Sequence, residues 1–339
     1  MQNFREQLAL LKIILNIHSR LIYRTCTQNF RVLPDFFVIG PPRSGTSSLY
    51  HYIDQHPSYV RPFMKELGYS VDPERIKAPH GQFNHDLYQH LPAGLRKPLM
   101  RIVQGLFYHN GADGYRKLFP LASKMKKTAH THGKAITGEF TVFGLYDAAT
   151  AGGFPYCVAG DGTKFITILR NPVDFLFSYY TLETNAHFRR VNRDVSFERF
   201  VHYPEELYAD DKFIRSVEGK LQQWRPHFER YPFFDEGRYS FATFMISYVV
   251  FIKHWVRNLP RDRFLVLSFS DLCEHSRETM NTVFDFLELP GIDIPDAKPV
   301  NANVYADKIP QEGASYIREV ARPYNEELYE FLGRDLGWE

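Results

Sequence analysis

Gly40 and Gly45 bracket the residues Pro-Pro-Arg-Ser, and the bracket closes on three hydroxyls, Thr46, Ser47 and Ser48. The spacing is that of a phosphate loop, GxxxxGK[ST], in which backbone N–H groups and the positive end of the following helix hold an oxyanion. Each charge-assisted hydrogen bond to such an anion contributes about 1.5–3 kcal/mol. The lysine expected after the second glycine is Thr46 here, and the loop's cation stands earlier, as Arg43 beside Ser44. No acidic strand end suits a magnesium ion, which nucleoside triphosphatases need. The loop therefore reads as an anion cradle that departs from the ATPase pattern.

A second pair of anion-binding groups lies in LRNPVDFLFSYY, where Arg170 ends an apolar run and Ser178 follows eight residues on, past a proline that starts a helix. Arginine offers a planar fork matched to phosphate, and serine one hydroxyl. Alone, this pair reads as a surface arginine and a helix serine; joined to the first loop, it reads as a grip for a second phosphate. His130 and His132 form an HxH without a third ligand at suitable spacing, so no metal is expected. The run SKMKKTAHTHGK reads as a solvated face, with an anionic acceptor groove as the competing reading.

The elements that must position these residues follow an α/β order. DFFVIG (Asp35 to Gly40), KFITILR (Lys164 to Arg170) and RFLVLSF (Arg263 to Phe269) are continuous apolar runs, as parallel strands covered on both faces should be. Helical spacing follows each, in SLYHYIDQ, VDFLFSYYTLE, ATFMISYVVFIKHWVRNL and SRETMNTVFDFLEL. In the last, Ser276 three before Thr279 marks the start, and Pro290-Gly291 the stop. Segments 73–133 and 194–238 are aromatic, basic and poorly periodic, and read as loops and short helices inserted over a sheet edge. The expected fold is a P-loop-type three-layer α/β domain with a central parallel sheet over 33–339, preceded by an amphipathic helical extension over 1–32.

At 339 residues with 44% hydrophobic and 16% aromatic content, the chain has ample material for one core. A formal charge of +2 excludes the broad basic excess of a nucleic-acid binder, so any anion site is local. Cys26, Cys157 and Cys273 are far apart and suggest neither a disulfide framework nor zinc. The run LALLKIILNI (Leu8 to Ile17) is broken by Lys12 and Asn16 and is too short to span a bilayer. With no small-residue cleavage site after it, a cytoplasmic location is expected. A helix packed on the domain and a helix lying on a membrane surface both remain open for this run.

Taken together, the motifs resemble those of the sulfotransferases that use 3′-phosphoadenosine 5′-phosphosulfate (PAPS). GPPRSGTSSLY is similar to their 5′-phosphosulfate loop and LRNPVDFLFSYY to their 3′-phosphate motif, with Arg170 and Ser178 on the signature positions. The resemblance runs from about Leu33 to Trp338, through HPSYVRPFMKELGYS, ITGEFTVF, FIKHWVRNLPRDRFLVLSFSDL and RPYNEELYEFLGRDLGW. It is strongest to the carbohydrate branch, heparan-sulfate-type enzymes and bacterial relatives, because Glu66 stands where that branch carries its general base.

The resemblance implies that Arg43, Ser44, Gly45, Thr46, Ser47, Ser48, Arg170 and Ser178 bind the donor. It also implies that Glu66 removes the acceptor proton and Arg43 stabilises the leaving phosphate. Glu139 and His56 stand next in line as bases. Two departures bear on the acceptor: Gly68 replaces a frequent histidine, and Phe140 replaces a frequent lysine after Glu139, which points away from a highly anionic glycan. The expected activity is sulfuryl transfer to a hydroxyl of a carbohydrate or glycolipid. A P-loop nucleotide-binding protein or kinase, and a protein-tyrosine sulfotransferase, are the alternatives.

Overall fold

Alternation along the first strand decides the layers. Phe36 and Val38 are buried with one set of side chains, Phe37 and Ile39 with another, so the strand is covered on both faces and reads as an unbroken apolar run. The computed structural model describes residues 16, 19–63, 65, 115–142, 144–149, 160–183, 195–202, 224, 226–228, 241–257, 259–294 and 308–338. Glu66, Gly68, Cys157, almost all of the Leu8–Ile17 run and much of the two inserted segments lie outside the described residues.

In chain order the elements that build the site are β1 (Phe36–Val38), α1 (Thr46–Ile53), α2 (Ala122–His132), β2 (Gly138–Phe140), β3 (Lys164–Leu169), α3 (Pro172–Glu183), α4 (Phe197–His202), α5 (Phe241–Ile246), α6 (Tyr248–Arg257), β4 (Phe264–Ser268), α7 (Phe269–Glu274), α8 (Ser276–Phe286) and α9 (Gln311–Leu332). The four strands form one sheet in the order β2-β1-β3-β4, every pair parallel. Leu49, Tyr52 and Ile53 of α1 pack on one face with Leu272 of α7 and Met280 and Val283 of α8. Phe175 and Leu176 of α3, Phe251 and Trp255 of α6 and Ile317 of α9 fill the other. This is the expected three-layer arrangement with a central parallel sheet.

The helices differ from expectation in instructive ways. The run from Ala242 to Leu259, expected as one helix, is broken at Ser247 into α5 and α6. The Ser247 hydroxyl bonds the Thr243 carbonyl at 2.5 Å, and the backbone closes tighter turns there, Ser247 N–H to the Phe244 carbonyl and Val250 N–H to the Ser247 carbonyl. Ser276 is the first residue of α8 and caps nothing with its side chain; His275 holds the cap position. That helix also stops before the Pro290-Gly291 signal. Glu288 takes the left-handed conformation, φ 56°, with its carboxylate between Lys134 and Lys164 at 2.9 and 2.6 Å. SKMKKTAHTHGK, expected within a loop-rich segment, supplies the eleven-residue α2, where Met125 is buried and His130 and His132 are exposed.

Residues 19–26 are helical and tied to the domain. Arg24 donates from Nε to the Lys117 carbonyl at 2.7 Å and from Nη2 to those of Leu118 and Phe119 at 2.7 and 2.9 Å. Burial, aided by the nearby charges of Arg31 and Arg20, pushes the Arg24 guanidinium down to about 9.

Candidate functional site

The strand order creates the crevice. β1 and β3 are neighbours, yet the chain leaves β1 into α1 on one face and β3 into α3 on the other. Their C-terminal ends therefore open a gap at a topological switch point, where ligands of open α/β sheets bind. The glycine-bracketed loop follows β1 there, and Arg170 follows β3.

Two unusual backbone conformations shape the loop. Arg43 has φ 61° and Gly45 has φ 92°. At Gly45 a side chain is doubly barred, since a Cβ would also lie 2.5 Å from the ring of Phe269. Gly45 is the N-cap of α1 and offers no side-chain cap; the first helical bond runs from the Leu49 N–H back to the Gly45 carbonyl at 3.0 Å. Helix geometry leaves the N–H groups of Thr46, Ser47 and Ser48 without an intrahelical acceptor. A helix end of this kind, at the crest of the sheet, favours an anion.

Around it the chain brings three of the predicted residues together. Arg43 donates from Nε to the Ser178 hydroxyl at 3.1 Å, and Arg170 donates from Nη1 to the Arg43 carbonyl at 3.1 Å. Ser178 is fully buried on α3, one of the apolar helices that hold the sheet. Arg170 lies with its guanidinium 4.9 Å from the Phe269 ring, and its own carbonyl accepts the Tyr248 hydroxyl at 3.1 Å. Its Nε is buried without a hydrogen-bond acceptor, a cost that an arriving anion would remove. Ser44, Thr46 and Ser48 are buried in the loop and first turn, and Ser47 is half-buried.

Sequence reasoning missed Phe269, Tyr248 and the contact that Lys65 makes. Lys65 donates from Nζ to the Ser47 hydroxyl at 2.8 Å. Eighteen residues separate the two, and no spacing rule links them. The strand β2 was missed as well, because GEF is only three residues long and opens on a glycine. That glycine has a packing reason: a Cβ at Gly138 would fall 2.3 Å from the ring of Phe36.

The two reserve bases fare differently. His56 uses both ring nitrogens: Nδ1 accepts the Ser58 N–H at 3.1 Å, which leaves Nε2 to donate to the Pro290 carbonyl at 2.9 Å. Burial holds its pKa below the ordinary value, so it is a neutral structural histidine. Glu139 sits on β2 beside Phe37 of β1, and its carboxylate accepts the Thr141 hydroxyl. Burial pushes this carboxyl up to about 8, the Thr141 bond opposing by a smaller amount.

The Glu139 proton carries a pH signature. The folded protein holds it up to about pH 8, the unfolded chain only to the ordinary glutamate range near 4.3, so this group's contribution to stability is full in acid and is lost as pH rises through that window. Urea titrations from pH 5 to 8.5 should show a decline on the order of a few kcal/mol. Glu139→Gln, a neutral isostere, should flatten it. An unchanged slope in the Gln variant would mean that Glu139 is ionised in the fold.

Fold and site together define the class: a P-loop-type α/β scaffold with an open helix N-terminus and two arginines, Arg43 and Arg170, that meet at its switch point. Residues 151–298 match the family model described as a sulfotransferase domain, a stretch that includes Arg170, Ser178 and β4. The chain is 22% identical over 357 residues to the membrane-associated sulfotransferase kil1 of Dictyostelium discoideum, covering 91% of this chain and 67% of that protein. It is 25% identical over 286 residues to carbohydrate sulfotransferase 15 of Mus musculus, covering 76% of this chain and 44% of that one. The chain thus spans about two thirds of the first relative and less than half of the second. The sulfotransferase of Alicyclobacillus acidocaldarius superposes with a TM-score of 0.51 at 22% identity, over 90% of this chain and 98% of its own, which speaks for the fold. The resemblance to sulfotransferases, and within them to the carbohydrate branch, is borne out by these matches.

Proposed function

We propose that the chain is a PAPS-dependent sulfotransferase acting on a hydroxyl of a carbohydrate or glycolipid. The observation that carries this reading is the meeting of Arg43, Arg170 and Ser178 at the switch point, with the Arg170 Nε buried and lacking an acceptor. Two anionic groups fit there, one on the loop and the first turn of α1, the other between Arg170 and Ser178. The donor, when bound, supplies a sulfuryl group carried on a phosphate oxygen.

The residues of the chain then have distinct tasks. Glu66 accepts the proton of the acceptor hydroxyl as the new oxygen–sulfur bond forms. Arg43 faces the phosphate oxygen to which the electrons of the breaking sulfur–oxygen bond retreat. To do so it exchanges its present bond to Ser178, whose hydroxyl becomes available to the 3′-phosphate. The loop N–H groups and the Thr46, Ser47 and Ser48 hydroxyls fix the 5′ end, and orientation of this kind lowers the barrier by prepaid entropy.

Calorimetry with adenosine 3′,5′-bisphosphate tests the reading. Arg170→Ala should weaken binding by about 10- to 100-fold and Ser178→Ala by less, because the lost arginine bonds are charged. Affinity unchanged from the parent in both variants would overturn the assignment, and preference for ATP over the bisphosphate would return the loop to the kinase class.

The acceptor side is supported by Phe140. Where glycosaminoglycan-type enzymes often carry a lysine, this chain buries a ring against Phe36 and Tyr50, at 5.7 and 4.9 Å, and so offers no cation there. A neutral or weakly anionic glycan or glycolipid fits best.

Peripheral membrane contact is part of the same proposal. No helix among the described residues is long and apolar enough to cross a bilayer, but Ile22, Tyr23 and Phe30 expose 53%, 55% and 70% of their surface beside the exposed Arg20. Anionic vesicles should pull the protein down on centrifugation. A triple serine variant at 22, 23 and 30 that sediments equally well would sink the idea.

A further inference from the structure

We propose that Lys65 is a second cation for the 5′ end of the donor, doing from a distant segment what a phosphate-loop lysine does from within the loop. The proposal rests on the donor reading above. Its starting point is an imbalance of charge in the cradle.

The position that supplies a lysine in nucleotide triphosphatases is Thr46, and the loop's own cation, Arg43, is turned toward α3, where its Nε bonds Ser178 at 3.1 Å. The 5′ end of the donor carries the greater burden, since negative charge grows there as the sulfuryl group departs. The first turn of α1 supplies partial positive charge and neutral hydroxyls. Lys65 brings a full charge to that turn: its ammonium lies 2.8 Å from Ser47 Oγ, on the second residue of α1.

The direction of this hydrogen bond strengthens the case. An ammonium has only donors, so Ser47 Oγ is the acceptor and keeps its own O–H to give. A hydroxyl that accepts from a cation is a stronger donor in turn. Ser47 is therefore primed toward an oxyanion at the helix end, and the ammonium stands one hydroxyl away from it. Both side chains are partly buried, where a charge is screened less than on an open surface.

Lysine suits this post better than arginine would. It is a compact point charge on a flexible stem with three donors, so one ammonium can serve Ser47 and other oxygens at once. The planar forks of this site, Arg43 and Arg170, are engaged elsewhere, with the Ser178 hydroxyl and the Arg43 carbonyl. Lys65 also precedes Glu66 in the chain, so the proposed base and the proposed cation belong to one dipeptide.

Two nucleotides that differ only at the 5′ position separate this role from a general one. Binding of adenosine 3′,5′-bisphosphate and of adenosine 3′-monophosphate is measured by calorimetry on the full chain and on Lys65→Met and Lys65→Arg. Lys65→Met should lose about 10- to 100-fold in affinity for the bisphosphate and keep its affinity for the 3′-monophosphate. Lys65→Arg should recover most of the loss. The affinity of the Met variant for the bisphosphate should also depend less steeply on salt.

Equal loss for both nucleotides would overturn the proposal, because a group serving the 5′ end has nothing to lose with a ligand that lacks it. So would unchanged binding of the bisphosphate in a Met variant that unfolds at the parental temperature. Should Lys65→Met not fold, Lys65→Gln, which keeps a donor for Ser47 but no charge, gives the same comparison. A parent protein that binds neither nucleotide refutes the donor reading itself, and the failure is then seen before any variant is made.

Discussion

Replacing Glu66 by glutamine should leave the affinity for adenosine 3′,5′-bisphosphate unchanged and slow sulfate transfer by about 10²–10⁴-fold. A base must be ionised and within hydrogen-bond reach of the proton it takes, and glutamine keeps the shape of glutamate while abolishing its basicity. Binding and chemistry therefore separate in this variant. A surface glutamate paired with its neighbour Lys65 would behave otherwise, contributing at most about 1 kcal/mol of stability and leaving turnover intact.

The alternatives for the base have narrowed on physical grounds. His56 has both ring nitrogens committed, to the Ser58 N–H and the Pro290 carbonyl, and is kept neutral by burial. Glu139 holds its proton up to about pH 8. A Glu66→Gln enzyme with near-normal transfer would place the base on Glu139, and its rate would then rise with pH through that value.

The second large effect is expected at Arg43. Arg43→Ala should lower the rate with saturating donor by about 10²–10³-fold, the loss typical of one preorganised charge at a leaving group. Arg43→Lys should retain much of the rate, since the charge is kept. Single-turnover measurements on both variants decide it. A fully active Ala variant would mean that the leaving oxygen is stabilised by other groups, with Lys65 the first to test.

Much of this was legible in the sequence because it is written in local terms. A glycine bracket after an apolar run, and an arginine at the end of another, are short-range patterns with a direct physical meaning. The strands β1, β3 and β4 were legible because burial on both faces makes them continuously apolar. β2 was not, since three residues carry no period and Gly138 is dictated by the ring of Phe36 across the sheet. The break between α5 and α6 was hidden because Ser247 bends the helix through its side chain, which apolar spacing does not register. Lys65 was visible as a residue but not as a neighbour of the loop helix, because its contact with Ser47 is made by tertiary folding alone.

Phe269 gives the architecture a temporal meaning. Its ring lies against Gly45 from the loop after β1 and under Arg170 from the end of β3, while its own place is fixed by β4, which ends the sheet among the described residues and is the last of its four strands to leave the ribosome. A nascent chain that has made β1, β2 and β3 holds the loop, Arg170 and Ser178, all proposed to take the donor, yet lacks the ring that packs against Gly45 and Arg170. On the donor reading, the seat for the anion is complete only after residue 269 has emerged and β4 has paired with β3. Until then a half-made chain has its charges in hand but no fixed place to put them.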